Sequence, residues 1–190
     1  MEKSLCLIIS GKFSKERIEM IAGILFSIFL FSQAVPLETV VASMNNRAIT
    51  YSEILQEGEL LNIENNFPPE TPLSPEMKQT ILELIFFRII TFEEAREHEI
   101  TVDEKLVKQK VETYRKNVNM KAFIEKYELT DFEFKTIIKM RLITDKMTER
   151  FLEQKFPKGR NISAEEKKKA VEDWKKNLLK RQKLMIYPMP

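Results

Sequence analysis

The run Ile81–Phe92 is apolar at nine of its twelve positions, and these positions fall on every side of a helical wheel. A helix that is apolar all round is either buried by its neighbours or inserted in lipid. A membrane span needs about 20 apolar residues, and this run is shorter and contains Glu83 and Arg88. Ser74-Pro75-Glu76 supplies an N-cap, a proline for the first turn and an acid for the positive end of the helix dipole. The pattern predicts a buried central helix at about 74–98.

The other predicted helices have apolar residues on one face only, which is typical of helices packed around a core. Four of them begin at a capping box, in which a serine or threonine precedes a glutamate by three residues: Thr50–Glu53, Thr101–Glu104, Thr130–Glu133 and Ser163–Glu166. Side chains expected to face inward include Ile54, Leu55, Leu61 and Ile63 of the first helix, and Leu106, Val107 and Val111 of the helix that starts at Thr101. A further short helix is predicted at Met120–Tyr127, and Gly58 weakens the expected continuity of the first helix.

Three short segments have the composition of β-strands. Thr39–Met44 and Arg47–Thr50 flank Asn45-Asn46, a pair that tolerates the positive φ of a tight hairpin turn. Leu184–Tyr187 is an apolar run at the far end of the chain, and it is expected to join the hairpin because an isolated hairpin is only marginally stable. The predicted fold is mainly α, a small helical bundle around the central helix with a short N-terminal β-hairpin joined by a C-terminal strand.

Residues 1–34 have the layout of a secretory signal peptide. Basic residues precede an apolar core, Met20–Phe31, and Ser32-Gln33-Ala34 follows as a small-x-small cleavage site. The expectation is an exported mature chain that starts near Val35, and the alternative is an uncleaved anchor that tethers the protein to the membrane. Cys6 lies within the presumed signal, so the mature chain would have no cysteine for a disulfide or a metal site.

Composition and charge exclude several classes of function. The net charge is +2, and of the 31 basic and 29 acidic residues 27 and 26 lie beyond residue 34, a balance without the one-sided basic surface that nucleic-acid binding needs. His98 is the only histidine, and no glycine-rich phosphate loop is present. We therefore expect no metal, no cofactor, no nucleic acid and no catalytic residue, and His98 is expected to complement the dipole at a helix C-terminus.

The order of motifs resembles that of the SurA-type periplasmic chaperones. Val40–Thr50 is similar to the opening "VVAxVNxxxIT" of that family, and Leu84-Ile85 with Ile89-Ile90 resembles its central helix. Leu129-Thr130 with Glu133-Phe134 also looks similar, as does the segment from Trp174 to Ile186. The resemblance covers about residues 39–187, with 39–156 as the N-terminal part and 163–187 as the returning helix and strand.

The resemblance implies an ATP-independent periplasmic holdase for unfolded or outer-membrane proteins. Family members commonly carry parvulin prolyl-isomerase domains between the long helix and the terminal helix, but here only Phe156–Ile162 occupies that position. A segment this short cannot be a catalytic domain, so the protein is not expected to be an enzyme. The alternatives are a protein that retains prolyl-isomerase activity, and a membrane-tethered adaptor that binds one folded partner.

The candidate client-binding residues are large and apolar. Nine phenylalanines and seven methionines lie beyond residue 34, and methionine adapts its shape to varied partners. The hypothesis is that a cradle for unfolded segments is partly lined by Phe87, Phe123, Tyr127, Met140, Met147 and Phe151. The alternative for each of these residues is an ordinary place in the core.

Overall fold

The computed structural model describes residues 38–156 and 162–190. The strands are β1 (Val40–Met44), β2 (Arg47–Thr50) and β3 (Leu184–Ile186), and the helices are α1 (Tyr51–Glu64), α2 (Pro75–Glu97), α3 (Glu104–Arg115), α4 (Val118–Lys126), α5 (Asp131–Lys155) and α6 (Ala164–Lys180). The predicted fold class is confirmed, since a mainly helical chain carries one small sheet. The predicted signal peptide lies outside the described residues, as does most of the predicted break at 156–162. No helix within the described ranges is both long enough and apolar enough to cross a membrane.

The central helix α2 is buried along most of its length, as its apolar pattern predicts. Ser74 caps it by accepting a hydrogen bond from the Met77 N–H, and Pro75 occupies its first position. Its buried side chains point in several directions and include Ile81, Leu82, Ile85, Phe86, Phe87, Ile89 and Ile90. Sheet and helices therefore pack on different sides of one helix.

The sheet joins the two ends of the described chain. Its order is β2-β1-β3, with both neighbouring pairs antiparallel. Asn45 and Asn46 form the hairpin turn with φ values of 48° and 73°. Ala42 is paired with Ile186, and Met44 with Leu184. The expected return of the C-terminal strand to the hairpin is confirmed.

Three local predictions are wrong. Helix α3 begins at Glu104 and is capped by Asp103, whose carboxylate accepts from the Lys105 N–H, so the predicted capping box at Thr101 does not form. Leu106 and Leu55, which are predicted to face inward, are 47% and 38% exposed. Their helices turn Val107 and Ile54 toward the core instead, so the adjacent leucines face solvent.

Helix α1 runs without a break through Gly58, and the segment before α2 packs directly against that position. A Cβ added at Gly58 would lie 2.5 Å from Cδ1 of Leu73 and 3.1 Å from Cδ1 of Ile81. The missing side chain therefore lets residues before α2 cross closely over α1, and the glycine reflects close packing rather than a helix end.

Among the residues that the structure describes, the core divides into two clusters of buried side chains. The first cluster joins the sheet, most of α2 and Leu178 of α6. The second joins the end of α1 to α3, α4 and α5. Trp174 of α6 packs against both clusters, so the returning helix connects the two halves of the core.

A surface ion cluster between α3 and α5 makes a pH-dependent contribution to stability. Glu104 lies 2.8 Å from Nζ of Lys135 and 2.6 Å from Nζ of Lys139, and hydrogen bonds from these lysines lower the pKa of Glu104 to about 2. Because the pKa is depressed in the folded state, the stabilisation is present above the ordinary carboxyl pKa of 4.5 and is lost as the pH falls toward about 2.

We expect the Glu104→Gln variant to unfold at a lower urea concentration than the native protein near pH 6, and at almost the same concentration near pH 2. Urea midpoints of both proteins at the two pH values measure this difference. Glu112→Gln, a change at an exposed position of the same helix, serves as the control. A difference between the Glu104 variant and the native protein that does not change with pH would contradict the assignment.

Candidate functional site

Five of the six predicted client-binding residues lie in or against the two core clusters, and Phe151 belongs to neither cluster. Phe87, Phe123 and Met147 are buried, with 3%, 1% and 7% of their surface exposed, while Tyr127, Met140 and Phe151 are half-buried. The six do not form one continuous surface. Their role in client binding stays a prediction, and only the half-buried members have surface to offer in this conformation.

Met147 and Phe151 meet Trp174 at a cavity of about 270 Å³ between the end of α2, α5 and α6, which we call the tryptophan cavity. The Phe151 and Trp174 rings are stacked, with centroids 4.5 Å apart and planes within 7° of parallel. Phe87 lies behind them and meets Trp174 edge-on at 5.2 Å. The apolar wall also includes Ile100, and the polar residues at the cavity are Glu94, His98, Arg150 and Gln154.

Electrostatics at the tryptophan cavity are mild. Partial burial raises the pKa of Glu94, and electrostatic interactions with Arg181 and His98 oppose this effect. His98 is the C-cap of α2, which agrees with its expected place at a helix C-terminus. The cavity thus combines stacked aromatic rings with charged groups at its edge, a combination suited to holding one large apolar side chain.

Met140 lines a smaller cavity of about 120 Å³ between α1, α2 and α5. Its apolar lining is supplied by Leu60, Ile85, Ile89, Ile137 and Met140, and charged residues including Arg47, Glu53 and Arg88 lie at its edge. It has less than half the volume of the tryptophan cavity. Met140 therefore has less room for a ligand than Phe151.

Tyr127 is committed to an internal contact. Its hydroxyl donates to Oε2 of Glu59 at 3.0 Å, and Nζ of Lys126 lies 2.5 Å from the same oxygen. Burial and the neighbouring Glu59 carboxylate raise the pKa of Tyr127. Its ring packs on Phe123 with centroids 4.9 Å apart, so both residues stabilise the contact between α1 and α4.

A charge network lies between α1, α2 and α5, and sequence reasoning did not find it. Arg141 contacts Glu57 and Glu64, both at 2.5 Å, and Arg88 also pairs with Glu57. Tyr114 donates to the second oxygen of Glu64 at 2.6 Å. The four charged side chains are only 11–20% exposed. We call Glu57, Glu64, Arg88 and Arg141 the buried charge network.

Burial shifts the pKa values of two residues at this network. It lowers the pKa of Arg88, an effect that the Glu57 carboxylate opposes. It also raises the pKa of Tyr114, in the same direction as the hydrogen bond to Glu64. Nε of Arg141 is buried and has no hydrogen-bond partner in the described part of the chain. Arg88 gave a signal in the sequence, because an arginine inside an otherwise apolar helix requires a buried partner.

The exposed apolar residues are not those that the sequence singled out. Val118 and Phe132 are 75% and 77% exposed, and Phe67 is 59% exposed. Three consecutive residues at the C-terminal strand, Met185, Ile186 and Tyr187, are 58%, 52% and 42% exposed. Only the last group is continuous along the backbone, and no local pattern distinguishes it from a buried strand.

Metal chemistry has no candidate centre in the described ranges, where no three His, Cys, Asp or Glu side chains converge as metal ligands. Comparison with known proteins does not assign the chain to a family. No protein-family model matches the chain, and no curated protein matches it. The resemblance to the SurA-type periplasmic chaperones therefore depends on the quoted sequence motifs alone.

Proposed function

We propose that this protein is an ATP-independent chaperone that holds unfolded polypeptides after export from the cytoplasm. The observation that carries the proposal is the tryptophan cavity, where Phe151 and Trp174 line a space of about 270 Å³. A cavity of this size accepts a single large side chain rather than a folded surface or an extended cofactor. Outer-membrane proteins are the proposed clients by resemblance, and the export step depends on residues 1–34.

Binding of this kind needs no nucleotide. An apolar side chain gains roughly 1.5–3 kcal/mol of free energy when it leaves water completely, so a single occupied cavity binds weakly. Several such contacts with one client raise the overall affinity. A protein that binds only unfolded chains lowers the concentration of free unfolded chain by mass action. Release follows when the client folds and buries the same side chain.

Light scattering by the aggregating B chain of reduced insulin tests the proposal. The native protein is expected to suppress scattering at a modest molar excess, and Phe151→Ser is expected to require a several-fold higher concentration because the cavity loses its stacked wall. Phe132→Ser is the matched control, since it removes a ring that is 77% exposed and not part of the cavity.

The proposal would be refuted if the native protein did not suppress light scattering at stoichiometric excess. A proline-peptide isomerisation assay on the same preparation separates a holdase from an isomerase. The expected rate is the uncatalysed one.

A further inference from the structure

β3 is an edge strand of the sheet. At every second residue, its backbone N–H and C=O groups point away from β1. In an antiparallel ladder, the polar backbone groups of successive residues point alternately to one neighbour and away from it. Tyr187 donates its N–H to the Val41 carbonyl at 2.9 Å, and Asn45 donates to the Lys183 carbonyl at 3.2 Å. Residues 183, 185 and 187 therefore face β1, while the N–H and C=O groups of Leu184 and Ile186 point away from the sheet.

This edge is apolar on both of its faces. The side chain of Ile186 lies on the same face as Ala42, its partner in β1, yet it is 52% exposed. Met185 and Tyr187 lie on the opposite face with 58% and 42% exposure, and the Tyr187 hydroxyl lies 4.0 Å from the sulfur of Met185. An added strand could bond to two residues and cover apolar side chains above and below. Pro188 has no N–H and limits the added ladder to that length.

Charge indicates what kind of strand this edge fits. Lys180, Arg181 and Lys183 are exposed just before β3, and among the described residues none of the three lies within ion-pair distance of a carboxylate. Glu94 interacts with Arg181 only at longer range. An occupant with acidic residues at this end of the edge would complement the three cations.

A second copy of this chain fits the same edge poorly. If two β3 strands paired antiparallel around Met185, Lys183 would face Tyr187 of the second copy and Arg181 would face Met189. Neither position supplies a carboxylate. A contact between two three-residue strands also buries far less than the roughly 1,000 Å² expected of a stable interface.

We propose that the outer edge of β3 binds an extended, β-prone segment of an unfolded polypeptide as a fourth, antiparallel strand, with acidic residues at the C-terminal end of that segment. The choice of occupant rests on the proposed chaperone function. Leu184 and Ile186 supply four main-chain hydrogen bonds, which are independent of the client's sequence, while apolar and acidic side chains supply the preference. An outer-membrane strand, with its alternating apolar residues, has the required pattern.

The test uses an acetylated peptide, Val-Thr-Val-Thr-Val-Asp-Glu, and amide hydrogen exchange followed by NMR. Binding is expected to slow exchange of the Leu184 and Ile186 amides, while the Met185 and Tyr187 amides, already bonded to β1, change little. A peptide with the same composition but the acidic pair at its N-terminal end is the matched control and is expected to bind several-fold more weakly.

Two variants separate the backbone contribution from the charge contribution. Ile186→Pro removes an outward-facing N–H and leaves the donors to β1 in place, and it is expected to abolish protection at Leu184. Lys183→Glu changes only an exposed side chain, keeps the fold, and is expected to weaken binding roughly five- to tenfold. Unchanged affinity in both variants would overturn the proposal.

Three other outcomes would overturn the proposal, and a fourth would count against the chaperone function instead. Protection of Leu184 and Ile186 that grows with protein concentration without peptide, together with a dimer mass, would assign the edge to a second copy. Peptide-induced changes confined to the tryptophan cavity would place all binding there. Suppression of insulin aggregation without peptide protection at β3 would support the chaperone function and rule out the strand site. Peptide protection at β3 without suppression would support the strand site and count against the chaperone function.

Discussion

The Arg141→Met variant is expected to lose about 3–5 kcal/mol of unfolding free energy, because it leaves one carboxylate of the buried charge network without a balancing cation. Glu57 would retain Arg88, and Glu64 would retain the Tyr114 hydroxyl, but the net negative charge of the network would no longer be balanced. Urea unfolding followed by far-UV circular dichroism near neutral pH measures the change.

The matched control is Lys135→Met, which removes a cation from an ion pair with Glu104 in which both side chains are about half exposed. Water solvates that carboxylate after the change, so the expected loss is within about 1 kcal/mol. Adding Glu64→Met to Arg141→Met should recover part of the lost stability, since one stranded charge is removed. A double variant that is less stable than the single one by the full additive amount would show that stranded charge is not the cause.

The elements that could be predicted from sequence are those that local patterns determine. The central helix follows from an apolar run bounded by Ser74-Pro75, and the hairpin follows from Asn45-Asn46. The capping boxes at Thr50, Thr130 and Ser163 form as expected. The box at Thr101 fails because Asp103 is nearer to the first turn and its carboxylate caps the helix by itself. In each case the deciding contacts lie within a few residues of one another.

Of the tryptophan cavity, the sequence singled out Met147 and Phe151. The contacts between distant segments that build the sites could not be predicted in the same way. Glu57, Arg88 and Arg141 lie in three different helices, and only their packing makes them partners. The exposure of an aromatic side chain is set by its neighbours in space, which explains why Phe132 is exposed and Phe123 is not. The apolar pattern identifies residues that avoid water on average, but it does not show which helix face another helix covers.

At Phe87 a role in client binding can be distinguished from a role in the core, and the burial of its side chain favours the core. Its side chain is 3% exposed, its ring meets Trp174 edge-on at 5.2 Å, and Nζ of Lys175 lies 5.3 Å from the ring centroid. The Phe87→Ala variant is therefore expected to lose about 3–5 kcal/mol of unfolding free energy, from lost apolar burial and from the cavity left behind.

Trp174 is the only tryptophan in the chain, so its fluorescence reports directly on this contact. The emission maximum of folded Phe87→Ala is expected to shift to longer wavelength, because the indole ring loses a neighbour that excludes water, and the urea midpoint is expected to fall. Phe132→Ala makes the same chemical change at an exposed ring and should alter stability by no more than about 0.5 kcal/mol. Unchanged unfolding in Phe87→Ala combined with lost suppression of insulin aggregation would instead assign Phe87 to the client, because a residue that only packs the core cannot affect binding without affecting stability.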